Sequence, residues 1–162
     1  MFQCFVQTRI KKGRAGFSRR LNHTPHHIDT PPLDMNVIET AVMVADAVII
    51  PVRASVFDLG AVSPIVEMCN VRRKQFAFLR SAFDTRFKSL NSHSHNELLK
   101  MGNVLSTTIS YRLSYINALN MGKTGPEIEK DLRPEVDALW VETQRLANSS
   151  TTQSFKTKVA NG

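Results

Sequence analysis

A short, continuously apolar run of six residues, Ala47-Val48-Ile49-Ile50-Pro51-Val52, constrains the fold more than any other part of this sequence. The run is far too short to cross a membrane as a helix, and it suits a parallel strand that is covered on both faces. Pro51 lies near the end of the run, where a missing N–H donor does least harm. The run therefore predicts a parallel β-sheet with helices on both sides.

Helical and strand patterns alternate around this run. Apolar residues recur at helical spacing in residues 35–45, 57–71, 91–101, 112–121 and 133–147, and β-favouring runs cover residues 75–83 and 104–109. Asp34 is placed to cap the first helix, and Pro64 is expected either to kink the second helix or to begin it. This alternation predicts a layered α/β fold with a mostly parallel sheet.

The positive charge is concentrated at the amino terminus. The net charge is +7, and residues 1–28 carry six basic and no acidic side chains, whereas the remainder is close to neutral. A basic arm of this kind is attracted to phosphate backbones without regard to base sequence, and a solvated leader without a partner fits equally well. We expect a basic, poorly ordered leader over residues 1–26, an α/β domain over 27–147 and a polar, flexible tail over 148–162.

Several classes of protein are disfavoured. Cys4 and Cys69 lack a CxxC partner, which argues against a disulfide framework and a zinc site. None of the histidines has a cysteine adjacent in sequence, and we interpret them as surface or loop residues; they are His23, His26, His27, His93 and His95. A secretory signal and a membrane span are not indicated. We therefore expect a cytoplasmic protein.

Three segments carry a more specific signal. They are His27-Ile28-Asp29-Thr30-Pro31-Pro32, then Ala45 to Val52 followed by Ser55 to Leu59, and finally Thr108 to Arg112 continuing to Gly122-Lys123. In this order and spacing, residues 27–147 resemble the ParA/MinD family of deviant Walker ATPases, and within it the branch that partitions plasmids and chromosomes. The resemblance implies an incomplete doubly wound, P-loop NTPase-like sheet with flanking helices and a function in DNA segregation.

The resemblance also implies a nucleotide site with ATP and Mg²⁺ as cofactors. Asp29 takes the role of the Walker B carboxylate, which holds Mg²⁺ through water beside the phosphates. By the same resemblance, Thr30 with Pro31 and Pro32 opens a switch segment that responds to the γ-phosphate, and Pro51, Val52 and Arg53 lie on the nucleotide rim. Taken alone, Asp29 is better explained as a turn or helix-capping residue.

Partition ATPases of this family dimerise with ATP, coat DNA non-specifically and release it when a centromere-binding ParB-like protein stimulates hydrolysis. The resemblance therefore implies non-specific DNA, a ParB-like protein and a homodimer or a heterodimer with a full-length relative as partners, on the nucleoid. The candidate DNA-binding residues are Arg86, Lys88, Arg112 and Lys123. The trio Arg72-Arg73-Lys74 is a weaker candidate, because cations at a helix carboxyl terminus complement the helix dipole.

A glycine-rich phosphate loop is the family feature that the sequence lacks. The nearest run, Lys12 to Ser18, has Phe17 where the phosphate lysine belongs and Arg14 where a glycine belongs. Only ten residues separate Ser18 from Asp29, whereas a βαβ unit takes about 30. We expect an amino-terminally truncated partition ATPase that is defective in ATP hydrolysis. A nucleotide-independent interaction module, or a decoy that binds a full-length partition protein or DNA, is the alternative.

Overall fold

A computed structural model describes the backbone of residues 5–9, 25–31 and 34–159, and the side chains of residues 27–31, 34–55 and 58–149. These ranges contain five strands, seven α-helices and one 3₁₀ turn. The strands are β1 (Phe5–Arg9), β2 (Pro25–Asp29), β3 (Ala47–Val52), β4 (Gln75–Phe83) and β5 (Val104–Ser110). The helices are α1 (Met35–Val44), α2 (Val56–Ala61), α3 (Ser63–Val71), α4 (Lys88–Met101), α5 (Leu113–Asn120), α6 (Gly125–Ile128) and α7 (Arg133–Val159), with the 3₁₀ turn at Lys130–Leu132.

The strands form one sheet in the order β2-β1-β3-β4-β5. Strands β3, β4 and β5 are parallel neighbours, which confirms the predicted α/β fold with a parallel core. Strand β1 is antiparallel to both β2 and β3. The sheet is therefore parallel over three adjacent strands and changes direction at β1.

Strand β1 departs from the expectation of a leader outside the domain. Phe5 pairs with Asp29 on one side and with Ile49 on the other, so β1 lies between two strands of the sheet. Its residues are rich in β-favouring types, and a position between two strands pairs both of its backbone edges. The basic residues of this part of the sequence led to the prediction of a leader, although the β-favouring residues at 5–9 indicate a strand. The other residues of the expected leader up to residue 24 lie outside the described residues.

Strand β2 shows why a proline is tolerated just before the Asp-Thr-Pro-Pro motif. The sequence predicts a poor central strand here, but β2 lies at the edge of the sheet and begins at Pro25. Proline is acceptable at the first residue of an edge strand, because no ladder hydrogen bond from its nitrogen is required. The predicted domain boundary at residue 27 therefore falls inside this strand.

The predicted cap and the predicted helix start are both found, but one predicted helix is divided into two. The Asp34 carboxylate accepts a hydrogen bond from the Val37 N–H at 3.2 Å, which confirms the predicted cap of α1. The single helix predicted over residues 57–71 is two helices, and Pro64 lies in the first turn of α3, where its missing N–H is not needed. Pro64 therefore marks a helix start and does not kink a continuous helix.

Helix α7 is longer than the apolar pattern predicts. The pattern fades at Ala147, but the helical backbone continues to Val159. Residues 148–159 contain neither glycine nor proline, so nothing in the sequence terminates the helix there. The flexibility of residues 148–162 stays a prediction, and residues 160–162 lie outside the described residues.

Each face of the sheet has its own apolar core. One face packs against α1, α3 and α4, with Val48, Ile50 and Phe78 from the sheet against residues such as Ile38, Val42, Ile65, Cys69 and Leu98. The opposite face presents Ile49, Ala77, Leu79 and Leu105 to Leu139 and Leu146 of α7. Strand β3 is thus covered on both sides, as its apolar run predicts. Burial raises the pKa of the Cys69 thiol to about 12, as suits an inert core residue.

Among the described helices, none combines the length and the apolar character needed to span a lipid bilayer.

Candidate functional site

A ligand-binding site is expected at the carboxyl edge of the sheet, because ligands of open α/β sheets bind just outside the carboxyl ends of parallel strands. Strand β2 runs in the same direction as β3, since β1 is antiparallel to both. Residues 29–31, 53–55, 84–87 and 111–112 therefore leave the sheet at this one edge. The topology brings together most of the residues that the sequence singles out.

Asp29 is the last residue of β2, and its side chain is exposed. Thr30 follows as a buried residue, only 1% accessible to solvent, and Pro31 is exposed, whereas Pro32 lies outside the described residues. Within the described part of the chain, no three His, Cys, Asp or Glu side chains gather closely enough to hold a metal ion. Asp29 is thus positioned at the expected edge without a described cluster of ligands around it.

The described residues do not fit a triphosphate beside Asp29. A phosphate loop must leave its strand at the carboxyl edge, so that backbone N–H groups and a helix amino terminus face the ligand. Strand β1, which lies between β2 and β3, ends at Arg9, and Arg9 pairs with Pro25 at the opposite edge. The Lys12 to Ser18 run follows that end of β1 and lies outside the described residues.

The three predicted rim residues at the end of β3 have different environments. Pro51 is half-buried, whereas Val52 is 2% exposed and packs into the core. The next residue, Arg53, lies at the rim and donates from Nε to Asp58 Oδ2 at 2.9 Å. This hydrogen bond raises the pKa of Arg53. The nearly buried Asp58 belongs to the first turn of α2, where a carboxylate complements the helix dipole.

Two of the predicted DNA-binding arginines are held by carboxylates. Arg86 forms a two-pronged pair with Asp84, with Nη2 2.5 Å from Oδ2 and Nε 3.0 Å from both carboxylate oxygens. This side-chain hydrogen bonding is the main reason that the pKa of Asp84 is lowered to about 2. Arg112 donates from Nη1 to Glu129 at 2.9 Å, and the Ser114 hydroxyl donates to the same carboxylate. The carboxylates fix the direction of both guanidinium groups.

The two predicted lysines lie in different places. Lys88 begins α4, two residues after Arg86, and forms no ion pair with another described residue. Lys123 follows α5, whose eight residues separate it from Arg112 by about 12 Å of helix. The structure therefore places Arg86, Lys88 and Arg112 at one edge and leaves Lys123 apart.

Two exposed aromatic residues lie at this edge and were not among the predicted site residues. Phe87 is 56% exposed and Tyr111 is 52% exposed. The Arg86 guanidinium carbon lies 5.8 Å from the centre of the Phe87 ring. Their signal in the sequence is an aromatic residue directly next to each candidate arginine, in Arg86-Phe87 and Tyr111-Arg112.

The outer edge of β5 is closed by two carboxylates of α7, which no sequence pattern predicted. Glu142 accepts hydrogen bonds from the Ser106 and Thr107 N–H groups at 2.9 and 3.0 Å. Glu135 accepts from the Ser110 N–H at 3.2 Å and from the Tyr115 hydroxyl at 2.5 Å. Unpaired N–H groups at a strand edge are a template for association with another strand, and these carboxylates occupy them.

A small apolar pocket of about 230 Å³ lies on the α7 face of the sheet. The rings of His27 and Trp140 approach each other there, with centroids 5.2 Å apart. Its lining is apolar apart from His27 and Thr143 and includes Ile49, Leu79, Val136 and Leu139. The pocket lacks the charged groups that a nucleotide requires.

Comparison with protein-family models gave no match, and comparison with curated protein sequences gave no significant match either.

Proposed function

We propose that this chain is a ParA-like protein of DNA segregation that acts without hydrolysing ATP, through contact with DNA and with other partition proteins. We infer the loss of ATP hydrolysis from one observation, which is that β1 lies between β2 and β3 and is antiparallel to both. A phosphate loop needs a strand that ends beside Asp29, and β1 begins there. The ParA-like lineage itself is supported by the sequence motifs alone.

The contact with DNA is supported by three cations at the carboxyl edge. Arg86, Lys88 and Arg112 are all exposed and project from neighbouring segments, since the Tyr111 N–H donates to the Phe83 carbonyl at 2.8 Å. Each arginine is paired with one carboxylate and keeps donors for phosphate, because a guanidinium has five N–H groups. Binding through so few cations is weak and depends on salt.

The test combines nucleotide and DNA binding on the full chain. Isothermal titration calorimetry with ATP and Mg²⁺ is expected to give no heat of binding, and DNA binding measured by fluorescence anisotropy is expected to be the same with and without ATP. The triple variant Arg86→Ala, Lys88→Ala and Arg112→Ala is expected to lose DNA binding. The matched control is Lys100→Ala, which removes an exposed cation far along α4. Micromolar binding of ATP with Mg²⁺ would overturn the proposal, and so would full DNA binding by the triple variant.

An interaction module or decoy for a full-length relative is the second candidate, and an apolar stripe on α5 favours it. Leu113, Ile116 and Leu119 recur every three residues and are 65%, 47% and 79% exposed. Exposed apolar residues that line one helix face are typical of a protein-binding surface. Pull-down of a purified partition ATPase by the wild-type chain, and loss of capture in Leu119→Asp, would support this role. Equal capture by the variant would contradict it.

A further inference from the structure

Phe87 and Tyr111 lie among the cations that the proposed function assigns to DNA. Phe87 ends the loop after β4, and Tyr111 follows β5 directly. The backbone hydrogen bond from the Tyr111 N–H to the Phe83 carbonyl holds the two loops side by side. The hydrogen bond to Asp84 and the charge of Asp84 are the main causes of the raised pKa of Arg86, and Tyr111 is a smaller cause. Two aromatic rings and three cations therefore share one surface.

The Phe87 ring is available for stacking. More than half of the residue is exposed, although burial of a phenylalanine side chain is energetically favourable. The Arg86 guanidinium lies over the ring at 5.8 Å, and the Arg86–Asp84 pair keeps it there. Around the ring lies an open depression lined by Arg86, Lys88, Ser89, Leu90 and His93. A flat, unpaired base fits such a site better than the closed stack of a duplex.

The charge of this surface also favours binding of a single strand over binding of a duplex. Three cations, Arg86, Lys88 and Arg112, are opposed by the two carboxylates of Asp84 and Glu129. Non-specific duplex binding draws almost all of its free energy from phosphate contacts, and this surface offers few. Single strands are held by a combination of backbone contacts and stacking of bases on aromatic rings. Exposed rings next to a modest number of cations match that combination.

We infer that the edge surface formed by Arg86, Phe87, Lys88, Tyr111 and Arg112 binds single-stranded nucleic acid, with a base stacked on Phe87. This inference rests on the proposed contact with DNA and changes its preferred form from duplex to single strand. Phe87 supplies stacking, and the cations hold the backbone on either side of it. Because every base has a π-face, binding is independent of base sequence.

The test is fluorescence anisotropy with a labelled oligothymidine of about 15 nucleotides and a duplex of the same length. The wild-type chain is expected to bind the single strand more tightly. Phe87→Ala is expected to weaken single-strand binding about tenfold and to leave duplex binding unchanged, because stacking of one base is lost. Phe87→Trp is expected to retain single-strand binding. The matched control is Val71→Ala, which truncates an exposed apolar residue at the far end of α3. Circular dichroism and thermal melting establish that each variant is folded.

The outcomes separate the two proposals. Duplex binding that equals or exceeds single-strand binding, or single-strand binding unaffected by Phe87→Ala, overturns the inference while leaving the proposed contact with DNA intact. Failure to bind either form overturns both. Loss of single-strand binding in Phe87→Ala with retention in Phe87→Trp supports the stacking site, because a merely structural role for the side chain would affect duplex and single strand alike.

Discussion

Glu142 on α7 accepts hydrogen bonds from both the backbone N–H and the hydroxyl of Thr107 on β5, at 3.0 and 2.8 Å. Seven residues separate Glu142 from Glu135, about 10.5 Å of helix, and three residues separate Thr107 from Ser110, about 10 Å of strand. The two carboxylates are therefore spaced to meet both halves of the strand edge. The two carboxylates of α7 therefore satisfy donors at the edge of β5, while the apolar side of the same helix packs on the face of the sheet.

Removal of the Glu142 carboxylate is expected to destabilise the fold. Glu142→Ala leaves two backbone N–H groups and one hydroxyl of β5 without their protein acceptor, and the expected loss is about 1–2 kcal/mol in the free energy of unfolding. Urea denaturation followed by circular dichroism measures it. Glu97→Ala is the control, because Glu97 forms an exposed i,i+3 pair with Lys100 that contributes little. Equal stabilities of the two variants would contradict the assigned role of Glu142.

Two glycines are expected to respond oppositely to alanine. A Cβ at Gly102 would lie 2.6 Å from the Phe76 ring, which packs edge-to-face on Phe78. Gly102→Ala is therefore expected to cost about 1–3 kcal/mol through overpacking. Gly60 lies within α2 with open space around it, so Gly60→Ala is expected to stabilise the protein by up to about 1 kcal/mol. Melting temperatures of the two variants measured side by side test both, and a stable Gly102→Ala protein would contradict the close contact.

The Asp84–Arg86 pair is expected to persist in acid. Hydrogen bonds from the Arg86 side chain, and then from its backbone, lower the pKa of Asp84 from 3.8 to about 2. Since the folded-state pKa is depressed, the contribution of the pair to stability is complete above pH 3.8 and is lost as the pH falls through about 2. Carboxyl NMR titration should find Asp84 ionised at pH 3, and Arg86→Gln should raise its pKa. An ordinary aspartate titration in the wild-type chain would show that the pair is absent in solution.

Tyr115 is expected to titrate at unusually high pH. Burial is the main cause of its raised pKa, and the hydrogen bond to Glu135 adds to it. Because the folded-state pKa is raised, the contribution of the neutral phenol to stability is present below pH 10 and is lost as the pH rises through the folded-state value. Ultraviolet absorbance titration of a Tyr111→Phe protein isolates Tyr115, since the chain contains two tyrosines. Glu135→Gln should lower its pKa in part, and titration at the ordinary value in the Tyr111→Phe protein would contradict its burial.

The local patterns predicted much of the fold. The apolar run of β3, the cap at Asp34 and the helix start at Pro64 all depend on neighbours within a few residues, and each is found as predicted or as one of two predicted alternatives. The common edge of Asp29, Arg86 and Arg112 was not predicted, because it follows from the directions of strands that are paired only in the folded sheet. The family resemblance predicts Val52 at the rim of a nucleotide site, but its side chain is buried in the core. A position at the end of a strand does not determine towards which face of the sheet the side chain points.

The sequence by itself determined that this chain alternates strands and helices around a buried parallel core, because the spacing of apolar residues indicates which segments are helices and which are buried strands. It also determined that the phosphate lysine is missing from the glycine-containing run. Only the tertiary structure decided that Phe5–Arg9 enters the sheet between β2 and β3 in the antiparallel direction, because strand pairing joins residues that are distant in the chain. Likewise, only the fold brought the segment Arg86-Phe87-Lys88 beside Tyr111-Arg112, because these two segments are distant in the chain.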